Sequence, residues 1–327
     1  MMRDIAIALS VSVLLACLGG CKSQGKGKDV IAVIPKGTTH VFWQSVEAGA
    51  RKAAAEDGVD MIWKAGVKED DLDAQVTVVE AMISQGVKGI VLAPLHQEAL
   101  VKQVAAAKKK NIPVVVIDSS LAGKAGDDFV SFVATDSRKG GEMAAKEMIR
   151  LAGATGGKLV VLRYLEGHAS TGAREDGFID AITAYNEKAE KKFELVSTNQ
   201  RAGDVDEAMR KTEDMKAILL DAVGVYTPNE PTTFGMLRGL QNLKRAGKIR
   251  FVGFDGGKSL ADGLGAKEID ALVLQNPVQM GYLGVKTLMA HLRGQKVAPG
   301  IDTGCCLATP DNMNTPEVKM LLVPETK

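Results

Sequence analysis

The feature that most constrains the fold is a strand pattern that occurs twice, once in each half of the chain. The largely apolar run 112–117 leads directly into Asp118 and Ser119, and the run 249–254 leads into Asp255 and two glycines. Runs of this kind alternate with helical patterns from residue 30 onwards, which is typical of a doubly wound parallel sheet. The sequence therefore predicts an α/β protein of two doubly wound parallel-sheet lobes, each with a carboxylate at the carboxyl end of a strand.

The length and charge of the chain fit two such lobes. Its 327 residues are 46% hydrophobic, and 41 basic against 40 acidic residues leave a formal net charge of +1. Two domains of ordinary size fit this length. The balanced charge argues against a nucleic-acid partner, which normally binds a basic face. We predict an N-terminal lobe of residues 29–134 plus 277–303, and a C-terminal lobe of residues 135–276 plus 304–327.

The N-terminus predicts export and a lipid anchor. An apolar run over residues 5–18 follows Arg3, and it is too short to span a membrane but typical of a secretory signal. The Leu-Gly-Gly-Cys motif that ends at Cys21 resembles the bacterial lipobox, which implies a lipoprotein signal peptide over residues 1–20 and lipidation of Cys21. Residues 21–28 are rich in Lys, Gly and Ser and predict a flexible tether. An ordinary signal peptide cleaved nearby is the alternative.

The remaining cysteines, Cys305 and Cys306, are adjacent. Neighbouring Cα atoms lie about 3.8 Å apart, below the span of about 4.4–6.8 Å that disulfides favour. Two thiols packed in a strand are therefore the simpler interpretation, and a strained vicinal disulfide is the alternative. No spacing of Cys and His matches a zinc site, and we expect no metal or other cofactor.

Candidate ligand-binding residues lie where predicted strands end, because small molecules bind beyond the carboxyl ends of parallel strands. Carboxylates and amides there can pair with hydroxyl groups, and two adjacent aromatic residues can cover the apolar face of a polyol. For any single polar residue, a helix cap or a turn is the alternative, and we expect one of the two aromatics to pack under its helix. The candidates are His40, Phe42, Trp43, Asp118, Ser119, Arg174, Asn229, Asp255 and Gln275.

Arg174 is the one cation among these candidates. It lies near the start of a helix predicted over residues 173–186, where a positive charge is disfavoured unless an acceptor is supplied. Asp118, from the other lobe across the cleft between the two lobes, or a hydroxyl of a bound ligand, would supply that acceptor.

These residues resemble the type I periplasmic binding proteins of ABC sugar importers, specifically the ribose-binding branch. The resemblance covers nearly all of the mature chain and implies two lobes joined by a three-strand hinge. It also implies hydrogen bonds to a sugar from the five polar residues 118, 174, 229, 255 and 275, with Phe42 and Trp43 sandwiching the sugar ring. The most specific pieces are His40-x-Phe42-Trp43, Val116-Ile117-Asp118, Ala173-Arg174-Glu175-Asp176-Gly177-Phe178, Val252-Gly253-Phe254-Asp255-Gly256 and Gln275-x-Pro277.

Three departures from the ribose binders leave the ligand open. His40 stands where they carry Asn, Ser119 where they carry Arg, and Gly203 near where they carry Phe. The loss of an arginine and an aromatic ring changes the size of the pocket and its donors. A different pentose, hexose, deoxysugar or nucleoside therefore remains an alternative to ribose.

The resemblance implies an extracytoplasmic, lipid-anchored solute-binding protein that delivers a monosaccharide or small polyol to an ABC permease. We expect a monomer without catalytic activity, since no common hydrolase, P-loop or metalloprotease motif occurs and only His40 and His168 are histidines near the predicted cleft. One alternative is a receptor subunit that presents its ligand to a membrane sensor. Another is a regulator of the lac-repressor type, which requires a helix-turn-helix before the first strand.

Overall fold

The computed structural model describes residues 28–67, 69–196 and 199–324, so the predicted signal peptide and Cys21 lie outside the described residues. In the first part the elements are β1 (Val30–Ile34), α1 (Val41–Asp57), β2 (Asp60–Trp63), α2 (Leu72–Gln85), β3 (Ile90–Leu92), α3 (Val101–Lys109), β4 (Val114–Ile117) and β5 (Ser131–Ala134). The alternation then restarts with α4 (Ser137–Ala152), β6 (Gly157–Val161), α5 (Ala169–Asn186), β7 (Phe193–Val196), α6 (Val205–Asp214), α7 (Lys216–Asp221), β8 (Ala222–Tyr226), α8 (Glu230–Asn242), β9 (Arg250–Phe254), α9 (Lys258–Gly265) and β10 (Ala271–Gln275). The last elements are α10 (Pro277–Leu292), β11 (Gly300–Asp302), β12 (Cys305–Ala308) and α11 (Pro316–Leu322).

These strands form two six-stranded sheets. The first has the order β11-β5-β4-β3-β1-β2 and is parallel throughout. The second has the order β12-β10-β9-β8-β6-β7, in which only β12 is antiparallel to its neighbour. The predicted fold class of two doubly wound lobes is confirmed. We call the lobe of the first sheet the N-lobe and the lobe of the second sheet the C-lobe.

Each sheet is covered on both faces, which is why its strands are apolar without alternation. In β1, Ile31 and Val33 pack into one core cluster, while Ala32 and Ile34 pack into a second cluster on the opposite face. All four residues are fully buried.

In each lobe, the helix that follows a strand of the other lobe packs closely against a second helix. In the N-lobe α10 packs on α1, and an added Cβ at Gly281 would lie 2.0 Å from the carbonyl oxygen of Val46. In the C-lobe α4 packs on α5, and a Cβ at Gly141 would lie 2.0 Å from the carbonyl oxygen of Arg174. Both pairs therefore need a glycine at the contact.

Three segments join the lobes: β5 to α4, β10 to α10, and β11 to β12. Two of them are hydrogen-bonded side by side, since the hydroxyls of Thr135 and Thr303 are 3.2 Å apart and the backbone N–H of Asp136 donates to Asp302 Oδ1 at 3.2 Å. The carboxyl ends of β1, β4, β8 and β9 face the space between the lobes, where the candidate residues lie.

Candidate functional site

Two aspartates follow the two matching strands, and both have an unusual backbone conformation. Asp118 follows β4 with a φ of 61°, and Asp255 follows β9 with a φ of 70°. This left-handed region is uncommon for residues other than glycine, although Asp and Asn tolerate it best. Such conformations persist where the surroundings hold them, and they cluster at ligand sites. The equivalence of the two strand ends thus extends from the sequence pattern to the backbone.

A chamber lies between the lobes at these strand ends. Its free volume is only about 30 Å³, so in this form the side chains of the two lobes nearly fill it. Ser119 is buried and hydrogen-bonds to lining residues without being one of them. The other predicted ligand-binding residues all line the chamber: His40, Phe42, Trp43, Asp118, Arg174, Asn229, Asp255 and Gln275. Six further lining residues were not predicted: Lys36, Glu69, Ser170, Thr171, Glu230 and Pro231.

A buried lysine connects the N-lobe aspartate to the C-lobe. Lys36 Nζ lies 2.6 Å from Asp118 Oδ2, and the two side chains are only 3% and 4% exposed. The same ammonium donates to Ser119 Oγ at 2.6 Å and to Ser170 Oγ at 3.3 Å. Buried ion pairs are favourable only when their remaining bonding capacity is satisfied, as it is here. Because Ser170 belongs to α5, the cluster spans the cleft.

Glu69 forms a second polar cluster across the cleft. Its Oε1 lies 2.7 Å from His40 Nδ1 and accepts from Trp43 Nε1 at 2.6 Å, while its Oε2 accepts from the Tyr164 hydroxyl of the C-lobe at 3.3 Å. Burial by itself would raise the pKa of Glu69, but the hydrogen bond and charge of His40, with Lys36, lower it to about 2. Burial likewise opposes charge on His40, yet Glu69 raises the pKa of His40 above its usual value. The two side chains therefore form an ion pair.

Asp255 is held by donors of its own lobe. Gln275 Nε2 donates to Oδ1 at 2.7 Å, and the backbone N–H of Glu230 donates to Oδ2 at 2.9 Å. Arg174 Nη1 is 3.9 Å from Oδ2. Burial raises the pKa of Asp255, and Arg174 and Gln275 oppose that rise.

The position of Arg174 differs from the prediction. Because α5 begins at Ala169 rather than at residue 173, Arg174 lies in the second turn of the helix. Its guanidinium carbon is 4.2 Å from the centre of the Phe254 ring, and its Nη1 donates to the carbonyl oxygen of Pro228 at 3.0 Å. Its acceptors are therefore in the C-lobe and do not include Asp118. Among the described residues, its Nε and the Oε1 of Gln275 are buried without a hydrogen-bond partner.

The two aromatic residues have different environments. Trp43 is 2% exposed and packs into the N-lobe core, whereas Phe42 is half-buried. Their ring centres are 5.0 Å apart and their planes meet at 88°. A sugar ring does not fit between two rings that contact each other edge to face, so these rings do not form the implied sandwich. Both nevertheless line the chamber.

Asn229 combines the two roles considered for it. Its Oδ1 caps α8, accepting from the Thr232 hydroxyl at 2.6 Å and from the Thr232 N–H at 3.4 Å. The helix-cap interpretation therefore applies to its oxygen, while the residue also lines the chamber.

The other titratable candidates lie away from the chamber lining. His168 is buried at the start of α5, 4.9 Å from the Tyr164 ring, and burial together with Lys36 lowers the pKa of His168 to about 4. Cys305 and Cys306 are free thiols in β12 that pack against different core clusters.

Within residues 28–67, 69–196 and 199–324, no group of three or more His, Cys, Asp or Glu side chains could hold a metal ion. In the same part of the chain, no helix combines the length and apolar character needed to cross a membrane.

Comparison with known proteins identifies the family. Residues 31–296 match the periplasmic binding protein domain family. The chain belongs to this family. Its members bind solutes and are not enzymes, so the expectation of a non-catalytic, extracytoplasmic solute-binding protein is confirmed.

Several periplasmic binding proteins of known ligand are similar over most of the chain. A D-allose-binding periplasmic protein of Escherichia coli is 29% identical over 82% of this chain and 86% of its own length. The ribose import binding protein RbsB of Haemophilus influenzae is 28% identical over 89% of this chain and 94% of its own. A crystal structure of an ABC transporter solute-binding protein from Agrobacterium vitis with bound D-fucose is 36% identical, with a TM-score of 0.85 over 90% of this chain and 99% of that one.

The sequence marks some of the unpredicted lining residues of this protein and gives no sign of others. Lys36 and Glu230 follow the ends of β1 and β8 within a few residues, so the same strand-end argument applies to them. Ser170 lies in the first turn of α5, four residues before Arg174. Glu69 lies in an irregular segment between β2 and α2, and no periodicity or motif points to it. Gly203 donates its backbone N–H to Glu207 at 2.9 Å and does not line the chamber.

Proposed function

We propose that this protein closes its two lobes around one neutral monosaccharide and delivers it to an ABC permease. The observation that carries the proposal is the chamber itself, in which charged acceptors at the ends of β4 and β9 approach one small space from opposite lobes. Ionised acceptors form the stronger hydrogen bonds to hydroxyl groups. A ligand with hydroxyl groups on several sides satisfies this arrangement, and an apolar ligand does not.

The polar atoms that lack protein partners suit a sugar. Gln275 Oε1 can accept a hydrogen bond and Arg174 Nε can donate one, and both are buried. Sugar hydroxyls do both, whereas a buried polar atom left unpaired costs about 1–3 kcal/mol. The relatives named above bind D-allose, ribose and D-fucose, which supports a monosaccharide of five or six carbons.

Where ribose binders carry an arginine, this chain has Ser119 together with the ammonium of Lys36 2.6 Å from its hydroxyl. A cation is thus retained near that position by a different residue. We infer that the protein binds a relative of ribose, such as D-fucose, D-arabinose or D-allose, with a changed pattern of donors.

Closure follows from contacts that only the closed form makes. The Tyr164 hydroxyl reaches Glu69, and Ser170 reaches Lys36 and Ser119, in each case from the opposite lobe. A ligand that contacts both lobes shifts the equilibrium towards this form. We propose that the lobes, divided at the three crossings, move as units and that the protein acts as a monomer.

The test is a thermal-shift screen with D-fucose, D-arabinose, D-allose, D-ribose and D-tagatose, followed by titration calorimetry. A tightly bound sugar raises the melting temperature. Asp255→Ala should weaken the selected sugar by about 2 kcal/mol or more, because it leaves buried donors unpaired. Asp180→Ala is the matched control, since Asp180 is exposed and pairs with Arg138 on the surface. Failure of every monosaccharide to bind, or equal affinities for wild type and Asp255→Ala, would contradict the proposal.

We also propose that Cys21 carries a lipid anchor that holds the protein on a bacterial membrane, outside the cytoplasm. The lipobox-like motif and the tether after it support this proposal. Stable anchoring requires more than one acyl chain, as bacterial lipoproteins carry. Expressed in a bacterial host, the wild type should fractionate with membranes, and Cys21→Ser should not. Equal release of both proteins into the soluble fraction would refute the anchor.

A further inference from the structure

The charges that line the chamber do not balance. Each of three acidic side chains has a cation of its own: Asp118 lies 2.6 Å from Lys36, Glu69 lies 2.7 Å from His40, and Asp255 lies 3.9 Å from Arg174. Glu230 is the fourth acid of the lining, and no fourth cation accompanies it.

Glu230 is also the acid with the fewest hydrogen bonds. Asp255 accepts from Gln275 and from the backbone of Glu230, and Glu69 accepts from three side chains. Among the described residues, none donates to the Glu230 carboxylate, and its Oε2 is buried. These donors favour the ionised form of the other acids, while nothing comparable favours the ionised form of Glu230.

The groups that face Glu230 come from both lobes. Asp255, at the end of β9, lies in the same lobe, whereas His40, before α1, and Glu69, before α2, belong to the N-lobe. Burial raises the pKa of Glu230 to about 7; His40 opposes this rise, while Asp255 and Glu69 add to it. When the lobes separate, the N-lobe groups move away and water reaches the carboxylate, so its pKa returns towards 4.5.

We infer that Glu230 takes up one proton when the lobes close on a neutral sugar, so that the protein binds the sugar and a proton together. This inference rests on the proposed function. Glu230 begins α8 and is held in place by its own N–H···Asp255 bond. As a neutral acid it donates a hydrogen bond, whereas an ionised carboxylate only accepts. The neutral Glu230 carboxyl therefore selects a sugar oxygen that can accept a hydrogen bond, such as the ring oxygen, which carries no hydrogen.

The sign of the pH dependence follows from the higher pKa in the closed form. The sugar binds most tightly below the pKa of the open form. Affinity then falls by up to about tenfold per pH unit between about pH 5 and pH 7, and it becomes constant above that range. The His40–Glu69 pair contributes less to this dependence, because both residues belong to the N-lobe and stay paired when the cleft opens.

The experiment is titration calorimetry at about pH 6 in cacodylate, MES and imidazole buffers, whose ionisation enthalpies differ. The probe is D-fucose, D-arabinose or D-allose, whichever the screen selects. The wild type should take up close to one proton per sugar bound, because Glu230 is ionised in the open form and protonated in the closed form at that pH. At about pH 8 the uptake should approach zero.

Two variants locate the proton. Glu230→Gln, which imitates the protonated acid, should show no proton uptake, and its affinity should stay constant between about pH 5 and about pH 7, where the affinity of the wild type falls. Glu187→Gln, at an exposed residue after α5, should retain the wild-type uptake. Sugar binding without proton uptake in the wild type overturns the inference and leaves the proposed function intact, and so does uptake that persists in Glu230→Gln. Binding of no sugar at all overturns the proposed function and this inference with it.

Discussion

Replacing Lys36 with methionine should weaken sugar binding more than it weakens the fold. The ammonium contacts Asp118 Oδ2 and Ser119 Oγ, both at 2.6 Å, and Ser170 Oγ at 3.3 Å. In the closed form, methionine would leave the buried carboxylate of Asp118 without a counter-charge. Removing one partner of a buried ion pair costs about 3–5 kcal/mol.

Most of this free-energy cost arises when the lobes close, because an open cleft lets water solvate Asp118. A bound sugar hydroxyl recovers part of it, so we expect a loss of about 3 kcal/mol in binding free energy, roughly 100-fold in affinity. Titration calorimetry with the selected sugar measures this loss directly. Lys64→Met is the matched control, since Lys64 is exposed just after β2. This variant should bind the sugar as tightly as the wild type does.

A double-mutant cycle isolates the charge. In an Asp118→Asn background the carboxylate charge is absent, so Lys36→Met leaves no unpaired carboxylate and should then cost less than about 1 kcal/mol. The reasoning is refuted if Lys36→Met binds the sugar within about threefold of the wild type. It is equally refuted if the loss is the same with and without the Asp118 charge.

Two further predictions concern the cleft and the packing of the helices. Tyr164→Phe removes the hydroxyl that donates to Glu69 across the cleft at 3.3 Å, so calorimetry should show a loss of about 0.5–1.5 kcal/mol in sugar binding; unchanged affinity would show that this contact does not stabilise the closed form. Gly281→Ala places a Cβ 2.0 Å from the Val46 carbonyl oxygen and should lower the free energy of unfolding by about 3 kcal/mol or more in urea titrations. Gly172→Ala, in α5 with no atom within 4 Å of the added Cβ, is its control and should be neutral or slightly stabilising.

The sequence predicts the fold and the strand-end residues because both depend on local patterns. Unbroken apolar runs identify strands that are buried on both faces, and the residue after such a run must lie at the edge where a ligand binds. That argument is sufficient for Asp118, Asp255 and Gln275. Lys36 and Glu230 follow the ends of β1 and β8 within a few residues, so the same local pattern marks them.

Other features of the site depend on tertiary contacts that leave no periodic signal. Glu69 lies in an irregular segment, and its role arises from its distances to His40 and Tyr164 in the folded chain. The early start of α5, which moves Arg174 into the second turn, follows a His168 cap with no side-chain hydrogen bond. Preferred capping residues give a helix start its sequence signature, and histidine is not one of them.

The most direct test of the central claim is a crystal structure of the protein with the sugar that the screen selects. We predict one sugar in the chamber, with oxygens of both Asp118 and Asp255 within about 3.2 Å of its hydroxyl groups. The two carboxylates would then bind the same ligand from opposite lobes. A sugar held by one lobe alone, or bound outside the chamber while both carboxylates keep only protein partners, would contradict the account.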